Sequence, residues 1–136
     1  MPAENPMTLF TLAQRGMSAQ LVRMNTAASN LANAGSVSVT AEATYRPLRP
    51  VFATELDKAS GLATVNVSGV IRSSAQPVRE HNPDHPLADA NGDVWTSPVD
   101  ENEEMIEMLD ASRQYQNLVE AMSTAKQLML DTMRMK

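Results

Sequence analysis

The chain contains no cysteine, which excludes disulfides, Cys-ligated metal sites and thiolate nucleophiles together. Aromatic residues make up only 4% of its 136 residues. Large rings contribute much of the buried area of most cores, so this chain has few anchors for a compact one. Ten methionines provide part of the apolar side-chain surface instead. Flexible Met side chains fill irregular gaps and suit surfaces that meet several different neighbours.

The chain also lacks an excess of basic residues, because its formal net charge is -5. Phosphate binding needs a basic stripe, so we expect no nucleic-acid partner. No apolar run approaches the roughly 18 residues of a membrane-spanning helix, so we expect none. The segment Met1–Pro6 has neither a basic nor an apolar stretch, and we therefore expect no cleaved secretory signal. A length of 136 residues with 43% hydrophobic content suits one ordinary folded domain.

The N-terminal region, residues 6–35, has the apolar spacing of a helix. Asn5 and Pro6 are suited to the N-cap and the first helical position, and Gly35 to a left-handed C-terminal stop. Apolar residues separated by three and four positions, interrupted by the polar Gln20, form what we call the N-terminal stripe: Phe10, Ala13, Met17, Met24, Ala27, Leu31 and Ala34.

The middle region, residues 36–99, has a different pattern and contains six of the eight prolines. Val37–Tyr45 alternates apolar with polar residues, which predicts a half-buried strand. Val65–Ile71 predicts a second strand, with Gly69 at a bulge. Shorter candidates lie at 77–79 and 93–96. We expect a small β-rich insert with long connections.

The C-terminal region, residues 100–136, predicts the longest helix, about 45 Å over the span from Met105 to Met133. Asp100 with Glu103 resembles a capping box, and acidic residues at the start with Arg134 and Lys136 at the end complement the helix dipole. Residues again spaced by three and four, with the polar Lys126 among them, form the C-terminal stripe: Met105, Met108, Ser112, Tyr115, Val119, Met122, Met129 and Met133.

These three regions together predict an α+β fold, in which the long terminal helices pair as a coiled-coil-like layer and a small β-rich insert lies between them in the chain. The insert is too small to cover both stripes, so neighbouring subunits would cover the remainder. Polar Gln20 and Lys126 would fix the register of that packing. We therefore predict an assembly interface that comprises Phe10, Ala13, Met17, Met24, Leu31, Met105, Met108, Tyr115, Val119, Met122, Met129 and Met133. The alternative is a closed coiled-coil binding or regulatory module, and periodicity alone cannot separate a closed dimer from an open array.

Two stretches near the chain ends resemble the signatures of bacterial flagellar rod and hook proteins. The first runs from Gly16 through Arg23 and Asn25 to Ala34, and the second covers 104–115. They occur in the order and at the ends that this family has. The segment 85–94, followed by 97–99, resembles the short rod members in particular.

The resemblance implies a structural subunit of the proximal rod, the drive shaft that carries torque from the motor to the hook and filament. It implies terminal helices that are unfolded in the free subunit and form helical layers on assembly. Such proteins are exported by the flagellar type III apparatus without a cleaved signal. Their expected partners are other rod proteins and the MS-ring and export-gate components at the rod base.

Chemical sites are weakly indicated. Ser123–Lys126 matches the S-x-x-K pattern, but no S-D-N or K-T-G partner accompanies it. His81 and His85 lie near several Asp residues, yet prolines interrupt any helix that could bring both imidazoles together. The 89–93 segment departs from the calcium-loop template, so a polar turn is the better interpretation. We expect no catalytic residue, metal or cofactor.

Overall fold

A computed structural model describes residues 6–58 and 61–135 of the chain. The elements in chain order are α1 (Pro6–Ala32), β1 (Val37–Ser38), β2 (Leu48–Asp57), β3 (Leu62–Arg72), β4 (Val78–His81), β5 (Asp93–Thr96) and α2 (Glu101–Arg134). Two helices with a small antiparallel β insert between them confirm the predicted α+β class. The division into three domains at 35/36 and 99/100 stays a prediction.

Helix α1 ends close to the predicted position but by a different mechanism. The expected N-cap, Asn5, lies outside the described residues. At the other end Gly35 is not left-handed, because the described residues with positive φ are Gly61 and Gly92. Ala34 N–H instead donates to the Leu31 carbonyl at 3.3 Å. Such tight bonds satisfy the last helical carbonyls without a left-handed residue.

The strand predicted at 37–45 is wrong beyond its first two residues. The chain turns at 39–44 instead. The Thr40 hydroxyl accepts a hydrogen bond from the Ala43 amide at 3.2 Å, and the Thr44 hydroxyl donates to the Thr40 carbonyl at 2.8 Å. Threonine side chains can bond to nearby backbone in this way and so compete with a strand ladder.

Strands β2 and β3 form a long antiparallel hairpin. The predicted strand 65–71 is confirmed within β3. Val51 pairs with Gly69 and Phe52 with Val67, so Ser68 is the extra residue of a bulge beside Gly69, as expected. Strand β2 was not predicted, because Pro50 lies within it. A proline is tolerated here because the sheet has only two strands and each has a free edge.

The other three strands form a small sheet in the order β1–β5–β4, with both pairs antiparallel. Val94 of β5, 1% exposed, is the buried apolar side chain of this sheet. Strands β4 and β5 confirm the short candidates at 77–79 and 93–96. Between them the Asp89 carboxylate accepts from the amides of Asn91 (2.8 Å) and Asp93 (3.0 Å). The 89–93 segment is thus a polar turn.

Helices α1 and α2 lie side by side and run in opposite directions. A Cβ placed on Gly16 would lie 3.1 Å from Leu118 Cδ1, while Arg23 contacts Glu107 and Asp110 further along. Asp100 caps α2, because its carboxylate accepts from the amides of Asn102 and Glu103. Over the described residues, neither helix has the combination of length and apolar character that crossing a membrane requires.

Candidate assembly interface

The face of α2 that packs on α1 has a regular spacing. Most positions that are not exposed recur at alternating steps of four and three: Glu104, Met108, Ala111, Tyr115, Leu118, Met122, Ala125 and Met129. Glu107 and Ser112 are also not exposed and lie beside this line. This spacing keeps one line of residues on one side of a helix. Four members of the C-terminal stripe, at 108, 115, 122 and 129, therefore lie on the face that meets α1, and a fifth, Ser112, lies beside it. Knobs-into-holes packing between the helices stays a prediction.

The remaining predicted interface residues of α2 are exposed. Met105, Val119 and Met133 are 52%, 44% and 65% exposed. Other large apolar side chains of the same helix share this exposure, and we call the whole set the outer apolar residues of α2: Met105, Ile106, Leu109, Val119, Leu128, Leu130 and Met133. The predicted C-terminal stripe is thus divided between an internal face and a surface that this chain leaves uncovered.

The predicted interface residues of α1 are half-buried without exception: Phe10, Ala13, Met17, Met24 and Leu31. The deeply buried positions of this helix are instead Ala19, Thr26, Ala27 and Asn30. Small and polar residues are therefore the most buried residues of α1, while its large apolar residues remain partly accessible. Of the N-terminal stripe, only Ala27 is fully buried.

Arg23 connects the two helices through charge. Its Nε lies 2.7 Å from Glu107 Oε1, its Nη2 lies 2.8 Å from Asp110 Oδ2, and its Nη1 donates to Gln20 Oε1 at 2.7 Å. The hydrogen bond to Glu107 is the main cause that raises the pKa of Arg23 above its ordinary value, with the bond to Asp110 adding to it. Gln20, expected to fix the register as a polar residue within the stripe, orients this arginine.

Asn30 joins α1 to the hairpin and is completely buried. Its amide group donates to the Leu48 carbonyl at 3.0 Å, while its Oδ1 accepts from the Leu48 amide and the Tyr45 hydroxyl, both at 2.8 Å. The side chain thereby pairs with the start of β2 as a neighbouring strand would. Sequence reasoning missed this role. A polar residue inside an apolar helical pattern was the available signal.

Arg49 of β2 forms a hydrogen-bonded ion pair with Glu104 of α2. Glu104 is 1% exposed, although the sequence suggested only a favourable helix start there. At the other end of the hairpin, Arg15 Nη1 donates to the buried Thr64 hydroxyl at 2.6 Å. The hairpin is therefore held to both helices by arginine contacts. None of these contacts was predicted from spacing.

The end of the helix pair opposite the Arg49–Glu104 contact is loosely covered. A largely apolar groove of about 560 Å³ opens there, lined by residues of both helices: Leu9, Ala121, Thr124, Ala125, Leu128, Met129, Thr132 and Met133. No residue of 9–18 or 112–135 is fully buried. Large apolar side chains at this end thus lack the cover that a closed core provides.

The residues weighed for metal binding have other partners. His81 Nδ1 lies 2.9 Å from Asp93 Oδ1, and Arg79 Nε lies 3.2 Å from Asp93 Oδ2. His85 Nδ1 accepts a hydrogen bond from the Leu87 amide at 3.0 Å. Within residues 6–58 and 61–135, no three His, Cys, Asp or Glu side chains are grouped closely enough to hold a metal ion.

Two protein-family models match this chain at its ends. "Flagella basal body rod protein" matches residues 10–35, and "Flagellar basal body rod FlgEFG protein C-terminal" matches residues 90–135. The matched segments contain most of α1 and all of α2. Sequence and fold thus indicate the class of flagellar basal-body rod proteins.

Curated relatives extend the match over nearly the whole chain. The flagellar basal-body rod protein FlgC of Salmonella typhimurium is 43% identical over 129 residues, covering 93% of this chain and 95% of the relative. FlgC of Escherichia coli O157:H7 is 42% identical over the same shares. FlgC of Agrobacterium fabrum is 32% identical over 89% of this chain and 88% of the relative. The chain belongs to the FlgC family of flagellar basal-body rod proteins. It is a structural protein of the rod and not an enzyme.

Proposed function

We propose that the chain is a subunit of the proximal rod and forms part of the drive shaft that transmits torque from the motor to the hook and filament. Its partners in this proposal are other rod proteins, together with the MS-ring and export-gate components at the rod base. The subunit would reach that position by type III export without a cleaved signal. Its multi-copy assembly would proceed by helix packing.

The outer apolar residues of α2 are the observation that carries this proposal. Seven large apolar side chains on one helix are between 36% and 68% exposed. Exposed apolar area of this extent marks surfaces that other proteins cover, and its burial contributes about 25 cal/mol per Å². Neighbouring rod subunits would supply that cover.

The twelve predicted interface residues take two different roles in this proposal. Met108, Tyr115, Met122 and Met129 pack toward α1 and hold the helix pair together. Met105, Val119 and Met133 contact neighbouring subunits directly. The five half-buried interface residues predicted in α1 complete the surface where α1 meets its neighbours: Phe10, Ala13, Met17, Met24 and Leu31.

The loosely covered end of the helix pair supports export followed by folding on assembly. Helices in water owe most of their order to packing of an apolar face. Residues 9–18 and 112–135 contain no fully buried side chain, so burial within the chain opposes their unfolding only in part. Coupled folding and binding would order them when neighbours arrive.

Leu109→Asp tests the proposal without touching the face that packs on α1. Leu109 is 68% exposed, so the added charge costs the isolated chain little. In a rod it would place a carboxylate in an apolar contact. We expect swimming in soft agar to be lost and purified basal bodies to lack a complete rod. Thermal unfolding of the purified chain should be unchanged.

Asn117→Asp is the matched control, because it adds the same charge to an exposed polar residue of α2. We expect that variant to swim normally. If cells with Leu109→Asp swim as well as the control cells, the outer apolar residues are not an assembly surface. Complete rods in cells that lack this chain would contradict the proposed function as a whole.

A further inference from the structure

A cleft of about 420 Å³ lies where the start of α2 meets α1 and β2. Residues of all three elements line it: Thr26, Arg49, Pro50, Phe52, Glu103, Glu104 and Glu107. The cleft lies at the end of the helix pair opposite the apolar groove. It is therefore separate from that groove, although two of the outer apolar residues of α2, Met105 and Ile106, lie beside the cleft.

The cleft carries more negative than positive charge. Three carboxylates line it, at 103, 104 and 107, against one guanidinium, that of Arg49. Glu107 also pairs with Arg23, which is shared with Asp110. Glu103 has no ion pair among the described residues. A cation is the group that would balance this charge.

One oxygen in the cleft is left without a partner. Glu104 is 1% exposed, and only its Oε1 is paired, with Arg49. Its Oε2 is buried and accepts no hydrogen bond from any described residue. Buried carboxylate oxygens without donors are rare, because each forfeits its hydration without compensation. The acidic start of α2 is accounted for by capping, but this unpaired oxygen is not.

The surface beside the cleft is apolar. Met105 and Ile106 directly follow Glu104 and are 52% and 67% exposed. A partner that reached the cleft along α2 would therefore meet apolar side chains first and carboxylates second. A free metal ion or small cation would gain nothing from this apolar surface, whereas a protein helix would.

We infer that the cleft receives a lysine or arginine side chain from an apolar helix surface of a neighbouring rod subunit. The cation would donate to Glu104 Oε2 and pair with Glu103, while Met105 and Ile106 pack on the same neighbour. Such charge pairing fixes the register of a contact that apolar packing alone leaves variable. This inference rests on the proposed rod function and names the chemistry of one of its contacts.

Glu103→Lys tests the inference in cells, with Glu101→Lys as the control. Both residues are exposed and lie in the first turn of α2, so both changes perturb the helix dipole alike. Of these two residues, only Glu103 lines the cleft. We expect Glu103→Lys to leave at least about tenfold fewer complete basal bodies per cell than the control, through like-charge repulsion. Both purified variants should unfold at the same temperature.

Photo-crosslinking identifies the occupant. A photoreactive residue in place of Glu103 is activated in assembled basal bodies, and the crosslinked peptides are sequenced. We expect a helical peptide of a rod subunit that contains Lys or Arg. A peptide around Lys126 or Arg134 of this chain would identify a second copy as the neighbour.

The outcomes separate this inference from the proposed function. If deletion of the chain abolishes the rod but Glu103→Lys and Glu101→Lys assemble equally well, the cleft receives no cation and the inference fails alone. Crosslinks confined to peptides without basic residues, or to the same molecule, would also overturn it. If the rod forms without the chain, the proposed function fails.

Discussion

The two ends of the helix pair are built from different interactions. At one end, which we call the closed end, residues 19–32 of α1 meet residues 101–111 of α2. It contains every fully buried helical residue that the structure describes: Ala19, Thr26, Ala27, Asn30, Glu104 and Ala111. At the open end, residues 9–18 and 112–135 contain no fully buried residue.

The difference shows how one pair of helices can have a defined geometry within a single chain and still leave apolar residues for neighbouring subunits to cover. Directional contacts of Arg23, Asn30 and Arg49 define the geometry of the closed end within a single chain. Apart from the hydrogen bond of Arg15 to Thr64, the open end is held mainly by apolar contacts. Such contacts are non-directional and can be made equally well with a neighbour. Local stability should therefore fall from the closed to the open end.

The largest effect should follow from Asn30→Ala at the closed end. The change removes three hydrogen bonds and leaves the amide and carbonyl of Leu48 without these partners. Unpaired buried polar groups cost about 1–3 kcal/mol each, so we expect a loss of about 3 kcal/mol in the free energy of unfolding. Urea unfolding of the purified chain measures it. Asn25→Ala, at an exposed position of the same helix, should change stability by less than about 0.5 kcal/mol. Equal losses in the two variants would contradict the role assigned to Asn30.

A smaller effect should follow from Arg23→Met, which keeps a long apolar stem but removes the charge. Glu107 and Asp110 are 40% and 49% exposed, so solvent screens both ion pairs. We expect a loss of about 1 kcal/mol by the same urea measurement.

The pH dependence of the effect of Arg23→Met provides a second test of this prediction. The pKa of Arg23 is raised in the folded state. The contribution of Arg23 to the free energy of unfolding is therefore fully present below the ordinary arginine pKa. It is lost only as the pH rises through the higher pKa of the folded state. The difference in the free energy of unfolding between wild type and Arg23→Met should therefore stay the same across the neutral pH range. A difference that disappeared on mild alkalinisation would exclude this account of the pair.

The smallest effect should follow from Leu118→Ala at the open end. Leu118 packs beside Gly16 but remains half-buried. Truncation of a fully buried leucine costs about 2–5 kcal/mol, and the partial exposure of Leu118 should reduce this to about 1 kcal/mol or less. In cells, however, the same change should slow swimming, because assembled neighbours would complete its burial. A loss in the isolated chain as large as that of Asn30→Ala would remove the distinction between the two ends.

The sequence predicted those features that depend on periodicity and capping. Both helices, the Asp100 cap and the bulge beside Gly69 follow from local patterns. The strand at 39–45 failed because threonine hydroxyls bond to nearby backbone there, and β2 was missed because Pro50 is acceptable at a free edge. A three-four spacing finds apolar residues, but it does not say which of them face the partner helix. Met105 and Met108 belong to one predicted stripe and lie on different faces.

The polar contacts of the closed end could not be predicted, because each joins residues far apart in the chain. Arg23 and Glu107 are separated by 84 positions, and Arg49 and Glu104 by 55. Only the tertiary arrangement brings their charges together. The identity of Asn30 as a partner of β2 depended on a strand that the pattern did not indicate.

Amide hydrogen exchange tests most directly whether the open end gains its order from neighbouring subunits. Exchange would be followed by mass spectrometry in the purified monomer and in the chain within isolated rods. We expect amides of residues 19–32 and 101–111 to exchange slowly in both samples. Amides of 9–18 and 118–133 should exchange rapidly in the monomer and slowly in the rod. If the monomer protects both ends of its helices equally well, order does not depend on assembly and the account is contradicted.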